Sequence, residues 1–188
     1  GLASASLHYV VGVTAALDAV AAAEAEAEAP TLETLHISCC LDDAAAAPLR
    51  LAAFPTLTAA HIDLVSGEVL VRDLPPRLAR AHFGGGDLIS CAPGLALPEA
   101  LESLELEGAS IDGAWLDVLR AAAPCRAVSR LAVCGALPAL TCLEPLADAC
   151  PALAHLSIER TGALASLAGL FGGPPPRRGA LARSLVSL

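Results

Sequence analysis

The sequence predicts an α/β solenoid, with short parallel strands stacked along a curved concave face and helices along the convex one. Three observations carry this. A phrase of Pro, one residue, then Leu recurs at Pro30/Leu32, Pro55/Leu57, Pro76/Leu78 and Pro151/Leu153. Apolar residues follow the anchors at the fourth and sixth places: Leu35 and Ile37, Ala60 and Ile62, Ala81 and Phe83, Leu104 and Leu106, Leu131 and Val133, Leu156 and Ile158. Anchors at positions 7, 32, 57, 78, 101, 128, 153 and 181 are separated by 25, 25, 21, 23, 27, 25 and 28 residues, all within the roughly 20–29 residues of a strand-plus-return repeat.

Each element has a local reason. A strand of period two sends its fourth and sixth residues to one face, and parallel stacking buries that face as columns. The return halves read as helices at 14–29, 42–53, 113–123, 139–149 and 163–170, because they are rich in Ala and Leu. Small Ala side chains let them approach the strands closely. The Pro that follows stops the helix and leads into the next strand. The stretch FGGPPPRRG at 171–179 reads as a loop. A weaker copy of the strand phrase starts at Leu7 with Val10, and another near Leu181. The copies at Leu57 and Leu78 are the least regular, so an alternative parse makes residues 65–97 an insertion.

The phrase TLETLHISCCL at 31–41 places Leu32, Leu35, Ile37, Cys40 and Leu41 in the pattern LxxLxLxx(N/C)xL. ALESLELEGASI at 100–111 keeps the apolar places, with Ala109 at the ninth. CPALAHLSIERTG at 150–162 has Thr161 there and resembles a cysteine-containing subclass common in F-box-type proteins. Over nearly its whole length the chain resembles the leucine-rich-repeat family. The resemblance implies one domain over 1–188, of about seven repeats, shaped as a horseshoe. It implies a non-catalytic scaffold that binds other protein chains through its concave sheet, as a structural or accessory subunit of a larger assembly. One alternative is the substrate-recognition segment of a ubiquitin ligase; another, of a different class, is an α/β enzyme. The chain departs from the family in having no Asn. Cys40 and Thr161 can satisfy the turning backbone in part, whereas Ala15, Val65, Gly86, Ala109 and Ala136 have no side chain able to do so.

Composition narrows the function classes. The chain is 55% hydrophobic but only 3% aromatic, which suits thin stacked layers better than one bulky centre. It has no Lys, Asn, Gln or Met, a pattern of nucleotide bias in the source genome. A net charge of -9 argues against a nucleic-acid platform, which needs clustered positive charge. The one basic cluster is Arg177-Arg178. Seven Cys without a CxxC pair point to a reducing intracellular compartment, cytoplasm first, with organelle matrix or cilium as others. The apolar run from Val10 to Ala23 is too short for a membrane span and is interrupted by Asp18. The start at Gly1, the missing Met and the lack of polar caps predict ends that continue into further chain or are capped by a partner.

Catalytic and cofactor motifs are weak, and no cofactor is expected. Without Lys there is no Walker lysine and no Schiff base. Gly84-Gly85-Gly86 reads as a turn after a strand. Cys125, Cys134, Cys142 and Cys150 are evenly spaced but lack a paired zinc knuckle, and read as small buried hydrophobes. There is no GxSxG elbow. Trp115, the only Trp, reads as packing on the helical side.

The outward places of the strands are more informative. His36, His61 and His82 take the fifth place of consecutive repeats, and Glu105 takes it in the next. Strands about 4.8 Å apart would set them in a row, available to a partner, to a proton or, less readily, to a metal. Asp63, Glu107 and Glu159 take the seventh place and, with Glu102 and Glu105, make the middle of the face acidic. Arg80, Arg130 and His155 form a contrasting column at the third place. The candidate partner-binding residues are therefore His36, His61, His82, Glu105, Asp63, Glu107, Glu159, Arg80 and Arg130, read as a charge-patterned docking surface.

Overall fold

The computed structural model describes residues 3–26, 30–40, 48–122, 125, 127–141, 143, 146 and 149–162, with the side chains of Cys39, Cys40 and Pro48 outside that description. The readings that fall on residues 163–188, including the helix at 163–170, the copy near Leu181 and the Arg177-Arg178 loop, lie outside the described residues, as do Cys142 and the side chain of Cys40.

The strands are β1 (Ser4–His8), β2 (Thr34–Cys40), β3 (Pro48–Arg50), β4 (Ala59–Leu64) and β5 (Glu68–Asp73), then β6 (Arg80–Gly85), β7 (Leu88–Cys91), β8 (Ser103–Ile111), β9 (Arg130–Ala136) and β10 (His155–Glu159). Two α-helices accompany them, α1 (Val13–Glu26) and α2 (Ala114–Ala121), with a short 3-10 turn at Leu51–Ala53. The fold is α/β: a curled sheet of parallel strands with few helices. One run of the sheet is β1-β2-β4-β6-β8-β9-β10, in chain order, and every neighbouring pair is parallel.

Register follows from burial. Leu35 stands against Ala60, Ala60 against Ala81, Ala81 against Leu104 and Leu104 against Leu131. Ile37, Ile62, Phe83, Leu106 and Val133 form the next inward column. These side chains are buried, and a slip of one residue would turn the whole set to solvent. The anchors Leu32, Leu57, Leu78 and Leu101 are fully buried just ahead of their strands. Fully burying such a side chain is worth about 1.5–3 kcal/mol.

Three expectations are corrected. First, Leu7 is not an anchor. It pairs with Ile37 and so holds the sixth place of β1, with Ala5 opposite Leu35; Val10 and Ala15 do not hold the places assigned from it. Second, helices do not line the whole return side. Of the helix expected at 42–53, the described part is the strand β3 and a 3-10 turn. The return segments between β4 and β6 and between β6 and β8 carry the strands β5 and β7. Of the helix expected at 139–149, the opening residues 139–141 are turn and irregular chain, whereas Leu146 and Ala149 are helical. Third, Gly84 and Gly85 lie inside β6, not in the turn beyond it.

Two of these strands, β5 and β7, have a physical cause. The anchors Leu57, Leu78 and Leu101 are only 21 and 23 residues apart. An extended segment covers about 3.3 Å per residue against 1.5 Å for a helix, so a short connection spans the return path with fewer residues as strand. EVLVRD and LISC also carry the Val, Ile and Leu that suit strands. β3, β5 and β7 pair in parallel with one another, and β7 joins the last residues of β8, Ser110 and Ile111. The nine-residue β8 thus belongs to both runs, pairing β6 and β9 with its first half and β7 with its end. Residues 65–97 are continuous with the sheet through β5, β6 and β7, not an excursion from it.

The return side is tied down by Trp115 of α2, buried with its ring centroid 6.1 Å from that of Phe83. Its packing role is as read from the sequence. No helix among the described residues is long and apolar enough to cross a membrane.

Candidate functional site

Three outward columns cross the sheet face opposite the core. The alternation of half-buried and buried residues along β4, from Ala59 to Leu64, fixes which side chains face out. The third place runs Ser4, Thr34, Ala59, Arg80, Ser103, Arg130, His155. The fifth runs Ser6, His36, His61, His82, Glu105, Ala132, Ser157. The seventh runs His8, Ser38, Asp63, Gly84, Glu107, Cys134, Glu159. The structure therefore brings His36, His61, His82 and Glu105 side by side on adjacent strands. It places Arg80 and Arg130 on one edge of them, and Asp63, Glu107 and Glu159 on the other. Glu102 precedes β8 and falls outside the columns.

The imidazoles form a continuous row from His8 to His82, tilted by 48° and 36° at the first two contacts and stacked at the third. Ring centroids are 4.5 Å apart for His36 and His61, and 4.2 Å for His61 and His82, whose planes are within 5° of parallel. His8 extends it from the seventh column, with its centroid 5.2 Å from that of His36 and its Nδ1 2.6 Å from Ser38 Oγ. Gly84 makes room at the other end: a Cβ there would lie 2.5 Å from His82 Nε2, so the ring occupies the space a side chain would need.

Glu105 closes the row. Its Oε1 accepts Arg130 Nε at 2.9 Å, and its Oε2 lies 3.3 Å from His82 Nδ1. Both carboxylate oxygens are thus engaged within the face. Burial, then the neighbouring His82 and His36, pull the His61 pKa below its usual 6.5, against a smaller opposite pull from Asp63 and Glu105. His61 is the ring with an imidazole of its own column on each side.

On the acidic edge, Arg160 Nη2 lies 2.9 Å from Cys134 Sγ and 4.0 Å from Glu107 Oε1. Arg160 and His8 were not singled out from the sequence. The signal for His8 was present in the strand register, but the misplaced Leu7 anchor hid it. Arg160 sits past the end of β10 in a left-handed backbone conformation, φ 57°, which strand periodicity does not reveal.

A hollow of about 340 Å³ opens beside the stack, lined by Thr34, His36, Ala59, His61, Arg80, His82, Ser103 and Glu105 with the inward-facing Leu35, Ala60 and Ala81. It exists because the third column is small at Thr34, Ala59 and Ser103. A larger hollow of about 570 Å³, at the approach to β8 and β9, is apolar but for Glu99 and Cys125 among its lining residues. Among the described residues no group of three or more His, Cys, Asp and Glu converges to hold a metal ion.

No family model, curated protein or solved structure matches this chain.

Proposed function

We propose that the chain is a leucine-rich-repeat-like interaction module, a structural or accessory subunit that binds another protein through the exposed sheet face. The observation that carries this is the order of the three columns: Arg80, Arg130 and His155 on one edge, imidazoles along the middle, and Asp63, Glu107 and Glu159 on the other. The edges are four residues apart along each strand, about 13 Å. A partner segment lying along the middle column would meet opposite charge on its two sides, and such complementarity sets orientation and encounter rate. These groups lie in rows across the face, whereas a catalytic set converges on one reacting atom. On this reading the solenoid supplies a long curved surface from small units, each stacked on its neighbours.

The absence of Lys decides the experiment. Amine-directed cross-linkers have no side-chain target here, so carboxyl-directed cross-linking of the native complex is the measurement. Cross-links concentrated at Asp63, Glu107 and Glu159 support the reading. Cross-links confined to the helical side, at Asp18 of α1 and Asp117 of α2, would overturn it.

A further inference from the structure

We propose that the hollow between the third and fifth columns is a subsite for a carboxylate carried by an acidic side chain of the partner protein, bound more tightly as the imidazoles take up protons. This rests on the docking reading above and names the chemistry of one part of it.

The argument begins with free hydrogen-bonding capacity. Among the described residues Arg80 forms no side-chain hydrogen bond or ion pair, although its third-column counterpart Arg130 is held by Glu105. The Thr34 and Ser103 hydroxyls have no side-chain partner among the described residues either. The only carboxylate in the lining, Glu105, has both oxygens occupied. What remains offered to the hollow is a guanidinium, two hydroxyls and imidazole nitrogens. A guanidinium donates only, and a protonated imidazole donates from both nitrogens. The complementary ligand accepts hydrogen bonds and carries negative charge. The space of about 340 Å³ holds about ten waters at about 30 Å³ each, enough for a Glu or Asp side chain.

The charged groups around the stack set the sign of the pH dependence. They are His8 from β1, His36 from β2, His61 and Asp63 from β4, Arg80 and His82 from β6, Glu105 and Glu107 from β8 and Arg130 from β9. Asp63 and Glu107 stand in the seventh column, two residues along the strand from the imidazoles and on the side away from Arg80. Glu105 is ion-paired with Arg130 and within hydrogen-bond reach of His82. Protons reaching the stack crowd three neighbouring rings with positive charge, and an incoming carboxylate relieves that repulsion. Binding is thereby linked to proton uptake and strengthens as pH falls through the imidazole range.

The test uses the full chain and capped hexaglutamate, with capped hexalysine as its opposite, at pH 8 and pH 6. The readout is the imidazole and Arg80 side-chain resonances during titration. Hexaglutamate is expected to shift His36, His61, His82 and Arg80 together. Its affinity should be severalfold greater at pH 6 than at pH 8, because each imidazole that takes up a proton on binding adds to the attraction for the carboxylate. Arg80→Ala is expected to weaken binding about tenfold. Arg80 is exposed, so its removal leaves the core intact, and a thermal melt checks this. Unchanged imidazole resonances, affinity equal at both pH values, or equal binding by Arg80→Ala would each overturn the subsite. The two readings separate cleanly. Cross-links on the exposed face without hexaglutamate binding would sink the subsite alone. Hexaglutamate binding with all cross-links on the helical side would sink the docking reading alone.

Discussion

The imidazole of His61 lies face to face with that of His82, centroids 4.2 Å apart and planes within 5° of parallel. Two such rings share one proton more easily than they hold two. With His36 on its other side and partial burial, His61 titrates below its usual 6.5. Unfolding frees the ring to take a proton at its ordinary value. The unfolded chain therefore binds more protons than the folded one below about pH 6.5, and stability falls there. The contribution is present above pH 6.5 and is lost as pH drops through the lower folded-state value. The urea midpoint of the chain should decline from pH 8 to pH 5.5, and His61→Asn should flatten part of that decline. An unaltered slope in the variant would mean the stack does not control the titration.

Gly84 and Gly85 are neighbours in β6, yet their substitution by Ala should differ sharply. A Cβ at Gly84 meets the movable end of the His82 ring at 2.5 Å. Gly84→Ala should cost about 1 kcal/mol, because the ring that it displaces can swing aside, and should alter the His61 and His82 ring resonances as their stacking is broken. A Cβ at Gly85 falls 1.7 Å from the Leu64 backbone oxygen, at φ +72°. Backbone cannot yield as a side chain does, and left-handed strain adds to the clash. Gly85→Ala should cost about 3 kcal/mol. Chemical denaturation of both variants checks the contrast, and equal costs would refute it.

Much of this arrangement was legible before the fold. Leu35, Ile37 and their counterparts at six strands follow from period-two alternation, and the same alternation places His36, His61, His82 and Glu105 in one column. Parallel register then makes neighbours of residues 25 and 21 positions apart in the sequence. What alternation could not reveal was the first strand, where Leu7 carries the apolar signal at the sixth place and not at the first. The helix readings also left the segments between Leu64 and Arg80 and between Gly85 and Ser103 unassigned, and there EVLVRD and LISC form β5 and β7. The pairing of Arg130 with Glu105, which among the described residues leaves Arg80 without a side-chain partner, is a choice between the two strands that flank β8 and has no one-dimensional trace.

Glu24 is a polar group that strand patterning passes over. It is buried near the C-terminal end of α1 and its Oε2 accepts the backbone N–H of Thr31 at 2.8 Å and of Leu32 at 3.0 Å. A carboxylate near a helix C-terminus opposes the macrodipole, so its place there is set by the two donors of the following segment. Glu24→Ala removes that acceptor from buried backbone and should cost about 1–3 kcal/mol. Glu24→Gln keeps an acceptor oxygen at the same reach and should recover about half of the loss. If both substitutions were neutral in a denaturation series, the clamp between α1 and β2 would contribute nothing.

The described cysteines bear on whether this chain uses thiol chemistry. Burial, with Asp112 and Asp117 nearby, pushes the Cys91 thiol up to about 11. Cys150 is driven well above the ordinary thiol range by its hydrogen bond with Cys125 and by burial. The thiolate is the reactive form, and at pH 8 a thiol of pKa about 11 is ionised in roughly one molecule in a thousand. Cys134 is half-buried on the exposed face, beside Arg160. Alkylation of the folded chain by iodoacetamide at pH 8, followed by peptide mass spectrometry, should therefore modify Cys134 well before Cys91 or Cys150. Both protected residues should become reactive once urea unfolds the chain. Rapid native labelling of Cys91 or Cys150 would show that the core opens locally far more often than its packing implies, and the assignment of these thiols to structural packing would have to be abandoned.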